Sequence, residues 1–386
     1  MAVADTLIRP TDHGKPDRRP AEVAARKTYP VTVLATIGAL MLIFIGWVLV
    51  RWITSDYFTP VRNHGAQPPG WMKGTLLFWQ IVPIPAALAC LYFFVVRPWR
   101  RERRVGVDGM ITLASASVWF QDPLSSAGNH WFVYNTTLVN EGSWANAVPW
   151  WASYGKPGAM TSEPLLFTPA SYIWIFVLVG LLGCAVMRAA KRRWPRLSPA
   201  QLVGVCFAAM LAFDVVLEGV VFMPMGVYEY PGGHWSIFAN TWHKYPLNEG
   251  LTIGAVFTAI AALRYFVNDR GQTIAEAGID ELSASPRRKV VIRALAVTAM
   301  LQLFMFAFYN VPNTLIGFNS SSWPKQLQER SYFTNNICGQ GTDRACPGPN
   351  NPNIRKNSVY PNTNGGVTVP KGVTPPAIVP FQGSTK

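Results

Sequence analysis

Long apolar runs, nearly free of charge and each close to the length that carries an α-helix across a bilayer core, constrain this chain more than any motif in it. Seven can be read, over residues 31–50, 74–96, 106–120, 165–187, 199–225, 249–268 and 290–316. Half of the 386 residues are hydrophobic and only 14% are charged, against roughly 25% in an ordinary soluble chain. That balance excludes a disordered protein and argues against a water-soluble enzyme. The expected fold class is therefore all-α, a polytopic integral membrane protein of about seven transmembrane helices. The run 106–120 is the shortest; its residues give roughly 22 Å of helix, so it must extend into its flanks. Pro83 and Pro85 should kink the second run by removing backbone donors.

The formal charge of +14 invites a nucleic-acid reading, but the basic residues are placed otherwise. The head, residues 1–30, carries six of them, and the segments 97–105 and 188–198 carry five each, whereas 121–164 and 226–248 carry one each. Dense and sparse connections alternate along the chain. By the positive-inside rule the dense side is cytoplasmic, which predicts an N-inside, C-outside chain and leaves no call for nucleic acid. Arg293, at the inner end of the last run, reads as a snorkelling anchor.

Three domains follow: a basic cytoplasmic head over 1–30, a helical domain over 31–316, and a tail over 317–386. The head has no signal-peptide pattern, so the first run should stay as an anchor. The tail is rich in Pro, Asn, Gly, Ser and Thr, and that composition predicts a mostly disordered extracytoplasmic segment. Within it Cys338 and Cys346 suit a disulfide on the oxidising side; Cys90, Cys184 and Cys206 lie inside runs and read as packing residues.

The two sparsely charged outer loops are dense in aromatic and polar side chains. Loop 121–164 holds Asp122, His130, Trp131, Phe132, Tyr134, Asn135, Asn140, Glu141, Trp144 and Glu163; loop 226–248 adds Tyr228, Glu229, Tyr230, His234, Trp235, His243 and Asn248. Two accounts fit them: an interfacial aromatic belt, or a cover over a pocket for an apolar substrate. Inside the runs, Asp214 and Glu218 stand four apart, which in an α-helix puts them on one face about 6 Å from each other. A carboxylate at the bilayer centre costs at least about 2.5–3.5 kcal/mol, so such residues face a bundle interior and usually have a task. A neutral acid beside an ionised one is the pairing that general acid–base chemistry needs; a structural pair or a proton relay is the bland alternative. Asp122, Asn248, Glu249 and Asn310 converge on a similar depth, although each alone also suits a helix cap.

No His-Glu-x-x-His pair, Walker A loop, dinucleotide fingerprint, nucleophile elbow or haem-attachment motif is present, so no metal and no cofactor is expected. A retinal-type site fails because the last run contains no lysine.

The run Val118-Trp119-Phe120-Gln121-Asp122-Pro123, followed by Phe132-Val133-Tyr134-Asn135 and Asn140-Glu141-Gly142-Ser143-Trp144, resembles the AveC-type spirocyclase family of actinobacterial membrane proteins. Glu163-Pro164-Leu165-Leu166 and the stretch with Asp214, Leu217, Glu218 and Gly219 fit the same resemblance, which extends over roughly residues 31–316. It implies dehydrative spiroketal formation from a lipophilic dihydroxy ketone of polyketide or lipid origin, with no cofactor. Under that implication Asp214 and Glu218 take the acid and base roles, with Asp122 and Glu141 as rivals. His130, Tyr134, Asn135, Trp144, Tyr228, His234, Asn248 and Glu249 become candidate substrate-binding residues. The expected partners are the lipid bilayer and the lipophilic substrate. The competing expectation is a non-catalytic protein that binds a lipid or sterol, or that supports a transporter or envelope complex through its tail.

Overall fold

The computed structural model describes residues 28–374; most of the basic head and the last residues of the tail lie outside them. Seven helical segments stand where the seven apolar runs are: α1 (Pro30–Ile53), α2 (Gly70–Glu102), α3 (Val107–Val118), α4 (Thr168–Arg193), α5 (Pro199–Phe222), α6 (Leu247–Tyr265) and α7 (Pro286–Gly317). Among the described residues five of these, α1, α2, α4, α5 and α7, are long and apolar enough to cross a membrane. They mark a multi-pass membrane protein. Large apolar side chains stay uncovered along α1 and α2, among them Leu40, Ile43, Val50, Leu77 and Leu88, as expected of surfaces that meet lipid rather than water.

The short third run solves its length problem locally. Helix α3 passes directly into a 3-10 segment, Trp119–Ser126, that carries Pro123 and continues the element toward the aromatic loops. In α2 the prolines coincide with a break after Ile81, and a π-helical stretch follows at Leu91–Val96. Two further π-helical stretches interrupt long helices, Val215–Phe222 in α5 and Phe306–Asn310 in α7. Stretches of this kind turn the following side chains to a new angular position.

The helices pack in neighbouring pairs: α1 on α7, α3 on α4 and α7, and α6 on α4 and α5. The closest approach is at Gly38 of α1, where an added Cβ would lie 2.1 Å from the backbone oxygen of Leu295 in α7. One core, built from α3 to α7, includes Met110, Phe176, Met210, Val256 and Leu301. A second core, at the other end, gathers the aromatic loops. Two-residue strands β1 (Val133–Tyr134) and β2 (Tyr228–Glu229) pair antiparallel there, with Tyr134 opposite Tyr228.

The aromatic loops are mostly interior: Trp131, Phe132, Tyr134 and Trp144 are buried, while Trp150 and Trp235 stay exposed. The tail departs from its expected disorder over its described part. Trp323, Leu327, Phe333, Ile337 and Ile354 are buried in the second core, and Cys338 and Cys346 are joined by a disulfide. The tail also bonds the loops beneath it. Asn335 donates to the carbonyl of Tyr134 (2.9 Å) and accepts from the amide of Ser162 (3.1 Å), and the amide of Thr136 donates to the carbonyl of Tyr332 (2.8 Å). A few well-placed apolar side chains, a cross-link and main-chain bonds to a preformed surface order a segment whose average composition could not build a core alone. Cys184 and Cys206 are buried packing residues and Cys90 is partly covered. Arg293 is no snorkelling anchor: its guanidinium pairs with the buried carboxylate of Glu276 in the loop before α7 and also donates to the carbonyl of Val105.

The tight α1–α7 contact gives a direct check on this packing. Gly38→Ala should lower thermal stability in detergent by about 1–3 kcal/mol, because backbone must move to admit the methyl group. Gly46→Ala, with open space around the same position one face away, should be close to neutral; equal effects at both sites would contradict the packing.

Candidate functional site

Where the aromatic loops meet the helix ends lies a half-open pocket, with about 640 Å³ of space free of atoms, part of it open to solvent. Three carboxyl groups line it, Asp122, Glu218 and Glu249, and five tyrosines, Tyr134, Tyr172, Tyr228, Tyr230 and Tyr309. Phe132, Phe167, Phe176, Phe222, Ile253 and Phe257 supply the apolar wall. Few pockets combine so much apolar surface with so many convergent hydroxyl and carboxyl groups, and that mixture suits a hydrophobic molecule bearing oxygen functions.

Each carboxyl is positioned by a different element. Asp122 sits in the 3-10 segment after α3, which an amide network ties to α7: Gln121 donates to the carbonyl of Gln302 (2.9 Å), Asn310 donates to Gln121 Oε1 (2.8 Å), and Gln302 donates to Ser117 Oγ (3.1 Å). Its Oδ1 accepts a hydrogen bond from the Tyr172 hydroxyl of α4 at 2.7 Å. Glu218 lies in the π-helical stretch of α5 and accepts from the Tyr230 hydroxyl at 2.9 Å. Glu249 opens α6 and accepts from Trp131 Nε1 (3.3 Å) and Asn313 Nδ2 (3.2 Å). None of the three forms a salt bridge with a Lys, Arg or His of the described residues.

Behind Asp122 lies a fourth carboxyl, Glu163, fully buried and adjoining it. Burial, followed by the charge of Asp122, pushes Glu163 well above the usual carboxylate range. Burial likewise raises Asp122 to about 6, opposed by the hydrogen bond from Tyr172. Asp122 Oδ2 and both oxygens of Glu163 accept no hydrogen bond; a proton held on either carboxyl would serve two of these three oxygens. The arrangement is that of a buried acid pair in which both carboxyls are raised above their ordinary range. Burial also raises the hydroxyls of Tyr134, Tyr228 and Tyr230 well above their ordinary value, so they stay protonated and act as donors.

The structure separates the candidate residues read from sequence. Asp122, Glu218, Tyr134, Tyr228 and Glu249 line the cavity. Asp214 does not: it is buried one turn away, where the Tyr245 hydroxyl donates to its Oδ2 at 2.6 Å. Asp214 and Glu218 remain one turn apart along α5, with the π-helical stretch beginning at Val215 between them, but only Glu218 reaches the lining. Glu141 also lies outside the lining, on a turn whose carbonyl accepts from the Thr59 amide. Asn135 shapes a turn, donating to the Gly226 carbonyl (3.0 Å) and accepting from the Thr137 amide (3.0 Å). Trp144 packs in a separate core and donates to the Phe120 carbonyl at 2.8 Å. Asn248 donates to Asn313 at 3.2 Å, and His234 meets the carbonyl of Asn319 in the tail. His130 is buried with neither ring nitrogen bonded, and burial lowers it to about 4, so it is a neutral ring beside the site rather than in its lining.

Sequence reasoning named Glu163 among the polar residues of its loop and within the resemblance but did not assign it to the site. It also missed Tyr172 and Tyr309, which in an apolar run look like packing residues; position on the helix face opposite the lipid is the signal that would have found them. Among the described residues no three His, Cys, Asp or Glu side chains gather in a way that could hold a metal ion.

Comparison with protein-family models matches residues 102–333 to the family described as Spirocyclase AveC-like. The match takes in α3 to α7, both aromatic loops and every residue of the cavity lining. It starts later than the resemblance read from sequence and runs further, into the tail. No curated protein and no solved structure matches the chain.

The acid pair predicts a particular pH dependence. The folded protein keeps the Asp122 proton up to about pH 6, whereas the unfolded chain releases it near its ordinary value of 3.8. Its contribution to stability is therefore full below that value and declines as pH rises to about 6. His130 acts in the opposite sense: lowered from 6.5 to about 4, it contributes fully above 6.5 and loses that contribution as pH falls toward 4. Asp122→Asn should gain on the wild type between pH 4 and 6, by on the order of 3 kcal/mol at the plateau, in thermal unfolding of the detergent-solubilised protein. A difference that does not change with pH would count against the buried acid pair.

Proposed function

This chain belongs to the AveC-like spirocyclase family, and we propose that it closes a lipophilic dihydroxy ketone, of polyketide or related lipid origin, into a spiroketal by acid–base chemistry without a cofactor. The observation that carries the reading is the cavity that joins an apolar wall to Asp122, Glu218 and Glu249 and five tyrosine hydroxyls.

The reaction is redox-neutral and needs only proton transfers. One hydroxyl adds to the ketone to give a cyclic hemiketal; protonation of the hemiketal hydroxyl lets water leave; the second hydroxyl attacks the oxocarbenium carbon and loses its proton. Asp122, backed by Glu163, is the group suited to deliver the proton, since a carboxyl raised to about 6 is partly protonated near neutral pH and its neighbour can replace the proton. Glu218 is suited to accept the proton of the attacking hydroxyl, steadied by Tyr230. Glu249 and the aromatic faces line the same pocket and are suited to stabilise the positive charge that develops on the oxocarbenium ion. The shape of the wall would fold the chain so that one face of the cation is open, which sets the configuration of the spiro centre. Asp214 then becomes a supporting group, held by Tyr245, and not the proton donor.

We read the seven helices as seven spans, N-inside and C-outside, in a bacterial cytoplasmic membrane. The convergence of the basic segments 97–109, 264–272 and 286–293 at one end, with the aromatic loops and the disulfide-bearing tail in the second core at the other, supports that orientation. An apolar substrate would reach the cavity sideways from the bilayer.

Mass spectrometry of lipid extracts tests the reaction in cells that lack the protein, that carry it, or that carry Glu218→Gln or Asp122→Asn at matched membrane levels. A compound one water heavier than a wild-type product should accumulate in the null, and each variant should lower product formation by about 100-fold or more. Identical extracts from all four strains would overturn the enzyme reading.

A further inference from the structure

The end of the helix bundle opposite the cavity holds a larger hollow that the cyclisation chemistry does not use. It is walled by the end of α2 and the turn into α3, by the end of α6 with its following loop, and by the start of α7, and it spans about 2720 Å³ of space open to solvent. Eight of its lining side chains are Arg or Lys, against three Asp or Glu. Each acid is already answered: Arg104 pairs with Glu102, Arg264 with Asp108 through two bonds of 2.5 and 3.0 Å, and Arg270 with Asp280. Arg293 is engaged by Glu276. Arg103, Arg188 and Arg287 are left facing the hollow with no carboxylate partner among the described residues.

The rest of the lining is not what a site for a soluble anion needs. Phe94, Trp99, Val107, Tyr265 and Val290 form half-buried apolar wall beside the arginines. Guanidinium groups suit phosphate oxygens, which they can bind through two parallel bonds. An apolar wall that continues from it along the helices suits acyl chains. Basic pockets between helices at the cytoplasmic surface of a membrane are where anionic headgroups lie.

We propose that this hollow binds the phosphodiester headgroup of an anionic phospholipid, with Arg103, Arg188 and Arg287 on the phosphate and the apolar wall along its chains. The proposal rests on reading the helices as membrane spans with their basic end at the bilayer surface, and it is independent of the cavity chemistry. A soluble phosphate ester shares the headgroup chemistry but would leave the apolar wall unused.

Native mass spectrometry of the purified full-length protein, titrated with phosphatidylglycerol, with phosphatidylcholine of the same chains, or with glycerol 3-phosphate, separates the sources. Phosphatidylglycerol should bind at least about tenfold more tightly than phosphatidylcholine. Arg103→Gln, Arg188→Gln, Arg287→Gln combined should abolish that preference, while the same charge removal at the other end, Arg355→Gln, Lys356→Gln, Lys371→Gln, should keep it. Arg188→Gln alone, at an exposed position, should weaken the preference several-fold and carries the test if the triple variant does not fold. Equal binding of the two lipids, or an unchanged preference in the arginine variants, overturns the proposal. Displacement of the lipid by equimolar glycerol 3-phosphate overturns the lipid as occupant in favour of a soluble ester. Failure of the membrane reading itself would show differently, as a protein that purifies without detergent.

Discussion

Burying carboxyl groups without a cation beside them is the constraint around which one end of this protein is built. A carboxylate in an apolar interior is costly unless hydrogen bonds or a shared proton compensate, and here the compensation comes from tyrosine, tryptophan and amide donors and from other carboxyls. Tyr172 serves Asp122, Tyr230 serves Glu218, Tyr245 serves Asp214, and Trp131 with Asn313 serves Glu249. Bonds from neutral donors to charged groups are worth about 1.5–3 kcal/mol each, less than an arginine partner would offer. An arginine would fix its partner as a permanent anion. Neutral donors leave a carboxyl free to hold or release a proton, which is the property that acid–base chemistry requires.

That solution dictates the architecture around it. Donors must come from several elements at once, so α4, α6, α7 and both aromatic loops converge on one cavity. Irregular helix does the fine placement: the 3-10 segment presents Asp122, and the π-helical stretches of α5 and α7 present Glu218 and Tyr309. The described tail completes the shell from outside, bonding the backbone of Tyr134 and of Ser162, the neighbour of Glu163, through the one side chain of Asn335. The family match ends at residue 333, so this clamp lies just beyond the shared segment. At the opposite end the arrangement reverses: carboxylates there are met by arginines, as in an ordinary structural ion pair.

The positions of the helices were legible because the length of an apolar run and the spacing of basic segments are direct consequences of the bilayer. Asp122, Glu218 and Glu249 were legible because carboxyls in or beside apolar runs are costly and gather at one depth, and Tyr134 and Tyr228 because they stand in sparsely charged outer loops dense in aromatic side chains. Asp214 was read together with Glu218 from their spacing, and that spacing could not show that the Tyr245 hydroxyl would engage Asp214 and leave it out of the lining. Tyr172 and Tyr309 could not be told from packing residues without knowing which helix face meets lipid. The tail was misjudged because average composition hides the few residues that matter: Trp323, Phe333 and Ile337 need only a hydrophobic surface already built by the rest of the chain.

The central claim is that a carboxyl beside the cavity carries a proton near neutral pH. Infrared difference spectroscopy of the protein in membranes at pH 7 reads this directly, by comparing wild type with Glu163→Gln and Asp122→Asn in the absorption of protonated carboxyl groups. The account predicts a protonated-carboxyl band in the wild type that Glu163→Gln removes or diminishes and that Asp122→Asn shifts. An unchanged band in both variants, or no such band in the wild type, would contradict it.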